Sequence, residues 1–239
     1  MGSAAWALLV TSPERADAQR SPRQPRAESG LAQPPGLEVI PDSSYLVVIT
    51  RRAGAAARLA HDHLIAARGW EMELQLPPDQ NPKAVSFHLT VPVDSLVVDD
   101  PELKDRLEDR LQLLGIIPGA FSSTSADDRR DIREAMVAEN QLNALTHPLV
   151  EVRLVSARQE PDHPDFPFGL TVELSAAGGA TVGEMRGRVV EAEGRVHVEA
   201  YGPVHFTQLG IEPYSAFWGL VRNQDRFYLY LSLRAARNP

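Results

Sequence analysis

Apolar and polar residues alternate along most of the chain from Ser43 onward. Trp70, Met72, Leu74 and Leu76 interleave with Glu71, Glu73 and Gln75, and the same step of two recurs at Phe87, Leu89, Val91 and Val93. It returns at Val150, Val152 and Leu154, at Leu170, Val172 and Leu174, and at Val196 and Val198. Its last instance is Phe227, Leu229, Leu231 and Leu233 against Tyr228, Tyr230, Ser232 and Arg234. Such alternation marks strands with one buried face. The unbroken β-branched run Tyr45 to Ile49, with further strands near Ala57–Ala66 and Val182–Val190, brings the expectation to about nine strands. Turn residues punctuate them at Pro77-Pro78-Asp79, Ala177-Gly178-Gly179 and Glu193-Gly194. Antiparallel strands with one apolar face must close into a barrel or pair into a sandwich. The pattern therefore predicts an all-β fold; an antiparallel barrel of about eight strands, one of the two closures, is just wide enough to hold one slender ligand.

One interval departs from the step of two. Leu103, Leu107, Leu111 and Leu114 recur at helical spacing, preceded by Asp99 or Asp100 as N-cap, with Pro101 in the first turn and Gly115 as stop. A second helix is predicted from Ser125 or Asp127 to Asn140, burying Ile132 and Met136. The two short helices form an inserted arm, residues 99–140, folded against one end of the β structure. Eleven acidic and six basic residues fall in this arm, so most of the formal charge of −8 resides there. That reads as a solvated helix surface and not as an acidic binding face.

Residues 1–41 have no sustained periodicity. They hold six prolines and a balanced four acidic and four basic residues. Such a segment cannot bury enough apolar surface to offset its ordering entropy, so a disordered Pro-rich leader is expected before a folded domain over 42–239. Ala4 to Val10 is an apolar run, and Ala16-Asp17-Ala18 fits a small-residue cleavage pattern. No Lys or Arg precedes the run. The leader reads equally as a degenerate export signal or as a plain tail. No stretch approaches the ~18 apolar residues of a transmembrane segment.

Composition narrows the chemistry. The acidic balance argues against nucleic acid as a partner. With no cysteine, disulfides, thiolate metal sites and thiol nucleophiles are excluded. Gly178 to Gly183 has the spacing of a phosphate-binding loop, but Glu184 stands where the lysine is required. Neither a nucleophile elbow nor a zinc-protease helix occurs. The expectation is that the protein is not an enzyme.

The feature that stands out is His61-Asp62-His63, after the small residues Ala53 to Ala57. On a strand, both imidazoles would share one face. Facing a lumen, they have ligand spacing for a metal, with a third ligand from His88, His147, His197 or His205. The alternatives are a polar lining that meets a ligand head group, or incidental histidines. Trp70, Met72, Leu74, Phe87, Leu89 and Phe206 form an apolar set assigned to the inward face.

Together these residues resemble the YceI-like family over about Tyr45 to Ala235. Leu59-Ala60-His61-Asp62-His63 resembles the histidine-bearing second strand of one branch, and Val91 to Pro101 looks like the strand leading into the helical arm. Ile132, Met136 and Leu142, followed by His147-Pro148, fit the second helix and the return to the barrel. Gly210-Ile211-Glu212-Pro213-Tyr214, with Gly219 and Asp225, resembles the closing turn and hairpin. Gln208-Leu209 departs from the family's Asp-Phe pair, and His147 from its aromatic before proline. The resemblance implies a lipocalin-like barrel that binds, transports or sequesters a long amphiphilic lipid, such as a polyisoprenoid or isoprenoid quinone. It implies no other cofactor, and a periplasmic or secreted location. His61, His63 and the apolar set would line the site, with the histidines near the head group. A metal- or haem-binding barrel and a structural, stress-related interaction module without ligand remain as alternatives, and a homodimer remains open.

Overall fold

The computed structural model describes residues 37–216 and 218–237; the leader expectation lies, up to residue 36, outside them. Among the described residues fourteen strands occur: β1 (Leu37–Val39), β2 (Tyr45–Thr50), β3 (Arg52–Ala53), β4 (His63–Ala67), β5 (Glu71–Gln75), β6 (Ser86–Pro92), β7 (Leu96–Val98), β8 (Leu149–Gln159), β9 (Phe168–Ala176), β10 (Gly179–Ala192), β11 (Arg195–His205), β12 (Ser215–Ala216), β13 (Val221–Asn223) and β14 (Arg226–Arg237). Two helices, α1 (Pro101–Leu113) and α2 (Ala126–Val137), lie between β7 and β8. β1 falls inside the segment assigned to the leader and pairs with β14, so regular structure begins before residue 42.

Eleven strands form one antiparallel sheet in the order β5-β6-β8-β9-β10-β11-β14-β2-β4-β7, with β1 on β14. That is more than the eight or so expected, because three long staves are each broken by a kink. β1 and β2 pair with the same β14, interrupted by a tight 3-10 turn at Pro41–Ser43. β4 runs into β5 through Arg68–Trp70, and β6 into β7 through the 3-10 turn Val93–Ser95. The two ends of the sheet order, β5-β6 and β4-β7, are thus halves of one kinked hairpin. Across its kink the Arg68 amide donates to Ser95 O at 3.0 Å and Ser95 Oγ donates to Gly69 O at 2.8 Å. With β4 paired to β2 and β6 to β8, the sheet closes on itself as a lipocalin-like barrel.

Alternation along the staves sorts side chains between two layers. Val47 and Ile49 on β2, Leu64 and Ala66 on β4 and Tyr230 on β14 point outward and pack with Leu103, Leu107 and Leu111 of α1. Their neighbours Ile65, Leu229 and Leu231 belong to the inner core with Leu89, Val152, Val172 and Met185. α1 therefore covers the side of the barrel and not its end. Asp100 is its N-cap, accepting from the Leu103 amide at 3.0 Å. α2, capped by Ser125, packs half-buried Ile132 and Met136 against the inner core instead. Arg133 ties it to the kinked hairpin through the carbonyls of Asp94 and Leu96.

The predicted strand near Ala57–Ala66 is replaced in its first half by a 3-10 turn, Ala57–Leu59, and the strand begins only at His63. The cause is Gly54 at φ 97, where a Cβ would lie 2.4 Å from Leu220 O. The chain turns there onto the β12–β13 hairpin, and the Ala56 amide donates to Leu220 O at 2.9 Å. β3, β12 and β13 form a small second sheet beside the barrel end.

Candidate functional site

The barrel interior holds two chambers. The smaller, about 100 Å³, is bounded by side chains including Leu74, Phe87, Leu89, Phe168, Leu170 and Met185, with Gln80 and Arg188 the polar residues on its boundary. The larger, about 300 Å³, lies under α2 and the Phe206–Tyr214 segment. Leu46, Val152 and Leu229 border both and form the apolar boundary between them. Polar residues reach the larger chamber at Thr50, His63, Asp131, Gln141, Tyr214 and Asn223. The lumen is thus apolar at one end and supplied with hydrogen-bonding groups at the other, the arrangement suited to a ligand with a greasy body and a polar tip.

His63 is fixed from behind. Its Nδ1 lies 2.7 Å from Asp99 Oδ2, and the Asp99 side chain is completely enclosed. Asp99 also accepts from the Leu64 amide at 2.9 Å and Thr124 Oγ1 at 2.7 Å, and Lys104 Nζ stands 3.0 Å from Oδ1. Lys104, itself 5% exposed, places its remaining donors on Ser122 O at 3.1 Å and Thr124 Oγ1 at 3.3 Å. Every lone pair of the carboxylate and every ammonium proton thus has a partner. Burial alone would raise the Asp99 pKa. The His63 hydrogen bond and charge, the Leu64 amide and Lys104 outweigh it and hold the group at about 2. Asp99 is therefore ionised near neutrality and acts as acceptor, so His63 Nδ1 carries the proton and Nε2 is left for the lumen.

The other assigned residues divide. Leu74, Phe87 and Leu89 line the smaller chamber, and Phe206 lines the larger with His63. Trp70 and Met72 pack half-buried against the inner core but border neither chamber. His61 borders neither; it precedes the strand, so the two histidines do not share a strand face. Their ring centroids are 6.4 Å apart, nearly perpendicular, and His61 Nδ1 is buried with no hydrogen-bond partner among the described residues. Among the described residues no three His, Asp or Glu side chains come together as metal ligands. The sequence reading missed Asp99, Lys104 and the α2 residues; the paired Asp99-Asp100 was the one available signal.

A second buried charge lies outside the lumen. Glu199, 1% exposed, accepts from Arg110 Nε and Nη2, each at 2.7 Å, from Arg188 Nε at 2.7 Å and from Tyr230 OH at 2.9 Å. Burial opposes its ionisation, but the hydrogen bonds from Arg110 and Tyr230 prevail and its pKa is lowered. Phe166 lies over both guanidinium groups. This cluster clamps α1 to the outer wall.

A closed antiparallel barrel with a lidded apolar lumen defines the class as lipocalin-like. The fold is that of YceI proteins. It is similar to Burkholderia cenocepacia BcnA, with a TM-score of 0.57 at 12% identity, over 83% of this chain and 100% of that one. It is also similar to a mutant Campylobacter jejuni YCEI protein, with a TM-score of 0.50 at 9% identity, over 73% of this chain and 85% of that one. No family model and no curated protein matches the sequence.

Proposed function

We propose that the protein is a non-enzymatic carrier that binds, transports or sequesters a long amphiphilic lipid, a polyisoprenoid or isoprenoid quinone, in its lumen. The observation that carries this is the pair of adjoining apolar chambers, both bordered by Leu46, Val152 and Leu229, with polar groups gathered at the end where His63 stands. Burying each methylene in such a space is favourable by ~0.8 kcal/mol, so affinity comes from the tail. His63 Nε2 offers the head group a hydrogen bond from a ring whose orientation Asp99 fixes. Titration with isoprenoid alcohols and quinones of increasing length tests this reading. Affinity should rise with length until both chambers are filled, and His63→Ala should change the preference between head groups. Affinity independent of length would contradict it.

A further inference from the structure

Beside the larger chamber two segments form one flap. β13 pairs with β3 and β12, the Gln224 amide donates to Arg51 O at 2.6 Å, and the Ala56 amide donates to Leu220 O at 2.9 Å. The flap carries large apolar side chains that no other part of the described residues covers: Trp218 is 99% exposed, with Leu220 and Tyr214 at 49% and 44%. Trp218 is also held at φ 55, in the left-handed region, a conformation unfavourable for a bulky residue. Tyr214 lines the larger chamber as well, so the flap adjoins the lumen at this end.

The charge of the flap opposes that of the whole chain. Residues 51–62 and 214–224 hold Arg51, Arg52, Arg58 and Arg222 against Asp62 alone, in a protein of formal charge −8. Asp62 lies beside Arg51 and Arg52. Arg58 and Arg222 are exposed and, among the described residues, have no carboxylate within 4.0 Å. Of the nearest acids in sequence, Asp225 is engaged by Thr207, and Glu212 is exposed. Exposed Trp and Tyr flanked by arginines form the pattern that seats at a lipid–water interface, rings at headgroup level and guanidiniums on phosphates.

We infer that this flap docks this end of the lumen onto an anionic phospholipid surface, the source from which a lipid enters. The inference rests on the lipid-carrier reading. It is tested with the full chain and vesicles of phosphatidylglycerol and phosphatidylcholine in equal parts, or phosphatidylcholine alone. The chain should sediment with the anionic vesicles, less with the neutral ones, and Trp emission should shift to the blue. Trp218→Ser with Leu220→Ser should lower partitioning tenfold or more, to about the value for unassisted encounter. Arg58→Ala and Arg222→Ala should each lower it about fivefold on anionic vesicles only. All four side chains are exposed, so thermal unfolding should match the parent. Absence of partitioning, or partitioning unchanged in the variants, overturns the inference. So does a concentration-dependent dimer abolished by Trp218→Ser, which would assign the patch to a second copy. A parallel arm delivers an isoprenoid alcohol from detergent micelles. Uptake from micelles without vesicle binding overturns docking alone; docking without uptake supports docking and overturns the carrier reading.

Discussion

His63 Nδ1 donates to Asp99 Oδ2 at 2.7 Å, joining a side chain on the lumen wall to a carboxylate shut away beneath α1. The same carboxylate receives Lys104 from α1 and Thr124 from the α1–α2 connection. The polar tip of the lumen and the helical arm are therefore one hydrogen-bonded unit, and the arm sets the direction of the imidazole.

The depressed pKa of Asp99 makes a signed prediction about acid. Its ionised form is favoured by folding, so the stabilisation is complete above the ordinary 3.8 and is lost as pH falls through about 2. The depression corresponds to about 2 kcal/mol. Urea unfolding from pH 7 down to pH 2 should show this loss in the parent. Asp99→Asn should be less stable by about 3 kcal/mol at pH 7, since Lys104 is left unpaired, and the gap should narrow on acidification. Asn tolerates the φ of 52 at this position, so the backbone is not the cause. Two parallel pH curves would count against the assignment.

The Glu199 clamp predicts an asymmetry between its members. Glu199→Ala leaves Arg110 and Arg188 facing each other without a counter-charge and should remove about 3–5 kcal/mol. Arg110→Ala should cost less, because Arg188 and Tyr230 still satisfy the carboxylate. Equilibrium denaturation with protection of α1 amides checks both. Equal losses would contradict the asymmetry, and negligible losses in both would show that the helix is held by its leucines.

The boundary between the chambers predicts a length-selective defect. Val152→Phe adds bulk where the chambers adjoin, at about 1–3 kcal/mol of stability. It should weaken binding of long isoprenoids at least tenfold while sparing those short enough for the larger chamber. Equal loss across lengths would mean that ligands do not pass this boundary.

Much of the barrel was legible because its staves have one face in the lumen: Leu229 and Leu231 face in, and Tyr230 packs outward beneath α1. The α1 cap was legible as a choice between two aspartates, which the structure resolves by giving Asp100 the helix and Asp99 the histidine. The Ala-rich stretch before His61 misled because alanine takes strand or turn equally well; Gly54, against the Leu220 carbonyl, determined the outcome. The staves' kinks depend on pairing partners far away in sequence and leave no local period. Glu199 and Arg110 are 89 residues apart, so their union had no sequence signal, and the charge of the arm read as solvated when part of it is buried.

The central claim is that the lumen holds a lipid. Native mass spectrometry of the full chain, purified without detergent and then mixed with a long isoprenoid alcohol or quinone, measures this directly. A one-to-one complex that survives desolvation, and that Val152→Phe weakens for long chains, is the expected result. A spectrum of ligand-free protein, unchanged by added isoprenoid at any chain length, would contradict it.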